Sequence, residues 1–140
     1  PVPCRALFLR QQPADQAHAL KIWQQLREVG HREETLLIAS LLHDVGRSKA
    51  RLAPWQRAAM VLGPLFWPRR FAGLAAKSGP GWRYAFWVQA HHPAIGAEMA
   101  AEAGCPADVV AMIRRHHDAH LPEDHLAGLL RCLQAVDDAN

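Results

Sequence analysis

Apolar residues recur at intervals of three and four along most of this chain, and nowhere do they alternate cleanly with polar ones. The first period belongs to helices with one buried face. Without a period of two, half-buried strands are excluded. Over 14–29, His18, Ile22, Leu26 and Val29 share one stripe, which Gly30 ends. Over 33–43, Leu36, Leu37, Ser40 and Leu41 lead into His43, with Glu33 and Glu34 at the end where the helix dipole favours acids. Pro54 opens another apolar segment, interrupted at Gly63-Pro64. Pro68 opens a further piece reaching Ala76, and the stretch KSGPG is a loop. An aromatic segment covers 82–91. Pro93 suits a first helical position, which places His92 at a helix entrance. Residues 106–117 and 125–138 complete the pattern. The expectation is all-α: a single domain over 1–140, a bundle of about seven or eight helices. Residues 1–13 form an N-terminal lead-in, and 52–82 an insert.

The chain has 140 residues, half of them apolar and 21% charged, which suffices for a sizeable core and excludes disorder. Cys4, Cys105 and Cys132 are isolated and share no metal-type spacing, so they are expected as reduced thiols in a cytoplasmic protein. No apolar run approaches a membrane span, and no signal peptide is visible. The net charge of +3 conceals an asymmetry: between Val45 and Ala97 there is no Asp or Glu, while that stretch holds Arg47, Lys49, Arg51, Arg57, Arg69, Arg70, Lys77 and Arg83. It also holds Trp55, Trp67, Trp82 and Trp87. Such a segment favours an anionic partner: a phosphorylated metabolite, a nucleotide or a membrane surface.

Ionisable residues fall on the apolar stripes. His18 shares its stripe with Ile22 and Leu26, and His43 continues from Leu36 and Ser40. His116 follows Val109, Met112 and Ile113, while Asp137 follows Leu126, Leu130 and Leu133. A single inward histidine is more often a satisfied core residue than a ligand. A buried carboxylate, however, needs a partner, and a divalent cation suits several imidazoles and carboxylates at once. The joint pattern favours a metal: a helical His, the pair His43-Asp44, His92 before proline, the pair His116-His117 and a late Asp137. His31, His120 and His125 lie beside charged or loop residues and receive no role.

The segments DQAHAL, LLHDVG, HHPAIGAEMA, IRRHHD and AVDD, in that order, resemble the HD superfamily of metal-dependent phosphohydrolases. The resemblance runs from about Asp15 to Asp138 and implies an α-helical bundle with a central metal site. It implies His18, His43, Asp44, His92, His116 and Asp137 as ligands of one or two divalent ions, with Asp44 as the bridge. The ions would be manganese, iron, nickel, cobalt or zinc. His117 aligns with an extra histidine of the subgroup that cleaves cyclic dinucleotides. His91 has no such match and is expected either to support the ligands from behind or to face substrate. Arg47 stands where the family often has lysine, and it forks to phosphate differently. After His116-His117-Asp118 there is no Gly-Tyr-Pro, which argues against cyclic-di-GMP.

The implied reaction is hydrolysis of a phosphate ester of a nucleotide or other small phosphorylated metabolite. A bound cation lowers the pKa of its water and polarises the ester. Asp44, Arg47 and His117 are the expected catalytic residues, and Arg47, Lys49 and His91 the substrate contacts. Two alternatives accompany this reading. Di-iron oxygenases of the same superfamily use the same ligands. A non-catalytic module would use the basic, Trp-rich 52–82 segment for weak membrane-surface contact, although its Trp and Phe residues are expected to cap the bundle core. No nucleic-acid polymer is expected as a partner.

Overall fold

The computed structural model describes residues 2–66, 73, 81–121 and 123–140. Among these residues there are seven α-helices and one 3-10 turn, with no strand. They are α1 (Val2–Arg10), α2 (Pro13–Glu28), α3 (Glu34–Leu42), the 3-10 turn Val45–Lys49, α4 (Pro54–Phe66), α5 (Arg83–Glu102), α6 (Ala107–Arg115) and α7 (Ala127–Asp138). The all-α expectation holds.

The stripes do what their spacing implies. Ala19, Ile22 and Leu26 of α2 are fully buried, as are Leu130 and Leu133 of α7, and each such side chain contributes roughly 1.5–3 kcal/mol. Val29 instead projects into solvent, because the helix has ended. Its end is a Schellman motif: Gly30 takes φ +103°, its N–H bonds the Arg27 carbonyl, and the His31 N–H bonds the Leu26 carbonyl. The same device closes α5. Gly104 takes φ +77°, and the Cys105 N–H reaches the Ala100 carbonyl at 2.9 Å.

Two apolar clusters flank the centre of the bundle. One joins Cys4 and Leu7 of α1 to Leu42, Val45, Met99, Val109 and Ile113. The other joins Ile22, Leu26, Leu36, Met112, Leu130 and Leu133. Helices α3 and α6 contribute to both, and their C-terminal ends meet between the two clusters.

Local patterns mislead in three places. The lead-in over 1–13 contains a helix, α1, held by burial of Cys4 and Leu7 and by a Gln11 Nε2 hydrogen bond to the Leu41 carbonyl. Helix α4 runs through Gly63-Pro64 to Phe66. The aromatic segment and the helix expected after Pro93 are one element, α5, so His92 is mid-helix rather than at an entrance. The helix expected from Pro68 to Ala76, the loop KSGPG, and Trp67, Arg69, Arg70 and Lys77 fall outside the described residues except Gly73 and Gly81.

Candidate metal centre

His43 and His116 are the C-caps of α3 and α6. The last carbonyls of a helix lack intrahelical donors. Each ring supplies one: His43 Nδ1–H donates to the Ser40 carbonyl at 2.9 Å, and His116 Nδ1–H to the Ile113 carbonyl at 2.7 Å. His92 makes the same bond inside α5 for a different reason. Pro93 has no N–H, so the Gln89 carbonyl loses its usual helical donor, and His92 Nδ1–H donates to it at 2.6 Å. In all three rings the proton is thereby placed on Nδ1, leaving the Nε2 lone pair facing inward.

These lone pairs converge on Asp44, which is almost wholly buried. Its Oδ1 lies 3.1 Å from His92 Nε2 and 3.9 Å from His116 Nε2; its Oδ2 lies 3.5 Å from His43 Nε2 and 2.6 Å from Arg47. Beyond His43, Asp137 Oδ1 lies 3.7 Å from His43 Nε2 and 2.9 Å from His18 Nε2. The donor atoms form two groups, each within 4.8 Å: Asp44, His92, His116 and His117; and His18, His43 and Asp137. The groups adjoin where the His43 and His116 rings meet at 5.2 Å.

A backbone contact positions Asp44 opposite His92. The 3-10 turn packs on α5, and a Cβ on Gly46 would collide with the His92 carbonyl oxygen and lie 2.8 Å from the Gly96 nitrogen. Gly46 is therefore required for close approach and does not adopt a positive φ; among the described residues the glycines that do are Gly30, Gly81 and Gly104.

The donor set fits a divalent cation. His43 Nε2, Asp44 Oδ1, His92 Nε2 and His116 Nε2 are buried and make no hydrogen bond, although the His92–Asp44 pair is only 3.1 Å apart. Buried polar atoms are normally satisfied, so four orphans aimed at one region call for a cation. Burial, followed by the charge of His43, pushes His116 down to about 3. Burial and His92 lower His117 as well. Burial pushes the Asp44 carboxyl up, but His92, His43 and Arg47 outweigh it and hold the group well below the usual carboxylate range. A lowered His116 and His117 beside an ionised Asp44 are in the protonation state that metal binding requires.

All six expected ligands are brought together, and His117 stands within ligand reach beside them. Arg47 is half-buried and lines a cavity of about 100 Å³ with Gln12, Asp15, Leu52, Arg57 and Gln89. A second cavity of about 230 Å³ opens at His116 and His117, against Asp118 and Gln134. Lys49 is exposed on the 3-10 turn. The His91 ring stacks on Trp87 at 4.8 Å, its Nδ1–H donates to the Trp87 carbonyl, and it belongs to neither donor group. Sequence reasoning missed Gly96 and the Gln89 carbonyl. The proline after His92 was the available signal for the latter.

No helix among the described residues is long and apolar enough to cross a membrane. No curated protein and no solved structure matches the chain. The HD domain family model matches residues 16–138, the span that carries every residue of both donor groups, and the chain belongs to that family, whose members are generally metal-dependent hydrolases.

Proposed function

We propose that this domain hydrolyses a phosphate ester of a nucleotide or other small phosphorylated metabolite at a centre where the two donor groups, with Asp44 between them, would hold divalent ions. One observation carries the reading: the two oxygens of Asp44 face different donor groups, Oδ1 towards His92 and His116, Oδ2 towards His43. Such ions supply Lewis acidity and an acidified water. The chain supplies the rest. His18, His43 and Asp137 would hold one ion and Asp44, His92, His116 and His117 another, so His117 is assigned to ion binding. Arg47, already directed at the centre, orients the non-bridging phosphate oxygens and opposes their developing charge. Water adds to phosphorus, the P–O ester bond breaks, and the alcohol leaves with a proton. The small polar cavity beside Arg47, with a second arginine at Arg57, supports a compact anionic substrate.

The test is metal analysis of the purified domain, followed by a hydrolysis screen over phosphomonoesters, nucleotides and cyclic dinucleotides with each candidate metal. Release of phosphate that depends on metal and on Asp44 supports the reading. Oxygen uptake with ferrous ion and no hydrolysis would assign the oxygenase chemistry instead.

A further inference from the structure

Helix α4 is amphipathic the wrong way round for a core helix. Its buried polar residue is Gln56, whose Oε1 accepts the Ala53 N–H and whose Nε2 donates to the Trp82 carbonyl at 2.8 Å. Several of its large apolar residues are exposed: Trp55 is 55% exposed, Leu62 49%, Leu65 73% and Phe66 65%. At 3.6 residues per turn, Trp55, Leu62 and Phe66 fall within about 40° of one another, and Leu65 lies beside them. Trp82, 51% exposed, extends the patch, its ring 5.9 Å from that of Trp55. The aromatics were expected to cap the core. Trp55 and Trp82 do so only in part: their rings lie 6.2 and 5.8 Å from that of the buried Phe86, with about half of each residue left exposed, while Trp67 and Phe71 fall outside the described residues. Helix α4 makes little contact with the other described helices.

We infer that α4 is a membrane-surface element that lays Trp55, Leu62 and Leu65, with Trp82 beside them, into the headgroup region of an anionic bilayer. An outward apolar stripe of this size marks an interaction surface. Its charge selects the partner. No Asp or Glu occurs from Val45 to Ala97, against eight Lys and Arg, of which Lys49 and Arg51, in the stretch leading into α4, are exposed. A second copy docking symmetrically would set these cations against themselves. An anionic lipid surface neutralises them, each cation near it strengthening binding by roughly fivefold. Exposed tryptophans beside arginines suit the boundary between headgroups and acyl chains. This inference is independent of the reaction at the metal centre.

Flotation with phosphatidylcholine vesicles, with and without an equal share of phosphatidylglycerol, tests it. Binding is expected to the mixed vesicles, weakening as salt rises, with tryptophan emission moving to the blue and quenched by brominated acyl chains. Leu62→Glu/Leu65→Glu is expected to weaken binding by on the order of a hundredfold, with an unchanged far-ultraviolet circular dichroism spectrum. Absence of binding to phosphatidylglycerol vesicles at low salt overturns the proposal. So does wild-type binding without quenching by the brominated chains, or a stable dimer that the double variant dissolves, which would assign the face to protein.

Discussion

Gly46 and Gly96 meet backbone to backbone: a Cβ on Gly96 would lie 3.1 Å from the Gly46 nitrogen, and one on Gly46 would strike the His92 carbonyl. This contact closes the distance between Asp44 and His92. Gly46→Ala places a methyl group against backbone that cannot rotate away. A loss of about 1–3 kcal/mol is expected, together with weakened metal binding. Gly128→Ala is the control: nothing lies within 4 Å of its Cβ, it is exposed in α7, and about 0.5–1 kcal/mol of stabilisation is expected. Urea unfolding of both variants distinguishes close approach from a general glycine effect.

Metal binding has a readout that does not depend on activity. An ion that binds only the folded state adds about 2.7 kcal/mol at a hundredfold excess over its Kd. Manganese or zinc should raise the unfolding midpoint of the chelator-treated domain. Asp44→Ala should abolish the rise, because Asp44 contributes to the only contacts joining the two donor groups through a carboxylate among the described residues. His31→Ala should leave it intact, since His31 pairs with the exposed Glu33 at 3.1 Å. A rise of equal size in the Asp44 variant would remove Asp44 from the ligand set.

Arg47 is expected to act on substrate rather than on the ion. A charged hydrogen bond to phosphate contributes roughly 1.5–3 kcal/mol, so Arg47→Ala should lower kcat/KM by about ten- to a hundredfold with metal content unchanged. Arg47→Lys should recover part of the loss, keeping the charge without the fork. Steady-state kinetics beside metal analysis separates this from damage to the centre. A fall in metal content would show that Arg47 acts through Asp44, with which it pairs at 2.6 Å.

The cysteines offer a test of packing. Burial, and then the neighbouring Cys4 thiol, push Cys105 up to about 12. Its thiolate fraction at pH 8 is then about 10⁻⁴, so iodoacetamide should label the native protein at the half-buried Cys132 and spare Cys105. In urea all three should label. Prompt native labelling of Cys105, read by mass spectrometry, would mean that the contact of α1 with the end of α5 opens readily.

Helix type and position were legible in the sequence because periodicity and glycine stops act within a few turns. Ile22 and Leu26 lie inside for the reason their spacing implies, and Gly30 ends its helix where the sequence places the stop. The ligand types were legible as well, because a histidine or aspartate on a buried stripe is a local anomaly. Only the tertiary structure decided how they group. His18 joins Asp137 across the whole chain, and His43 sides with that pair rather than with His92, through contacts that depend on how α2, α3 and α7 pack. Continuity of α5 through Pro93 likewise depends on a side chain, that of His92, taking up the freed carbonyl. The outward face of α4 was hidden for the same reason: an apolar stripe records its own angle on the helix, while the direction in which that angle points is set by Gln56 and Trp82, a contact between distant segments.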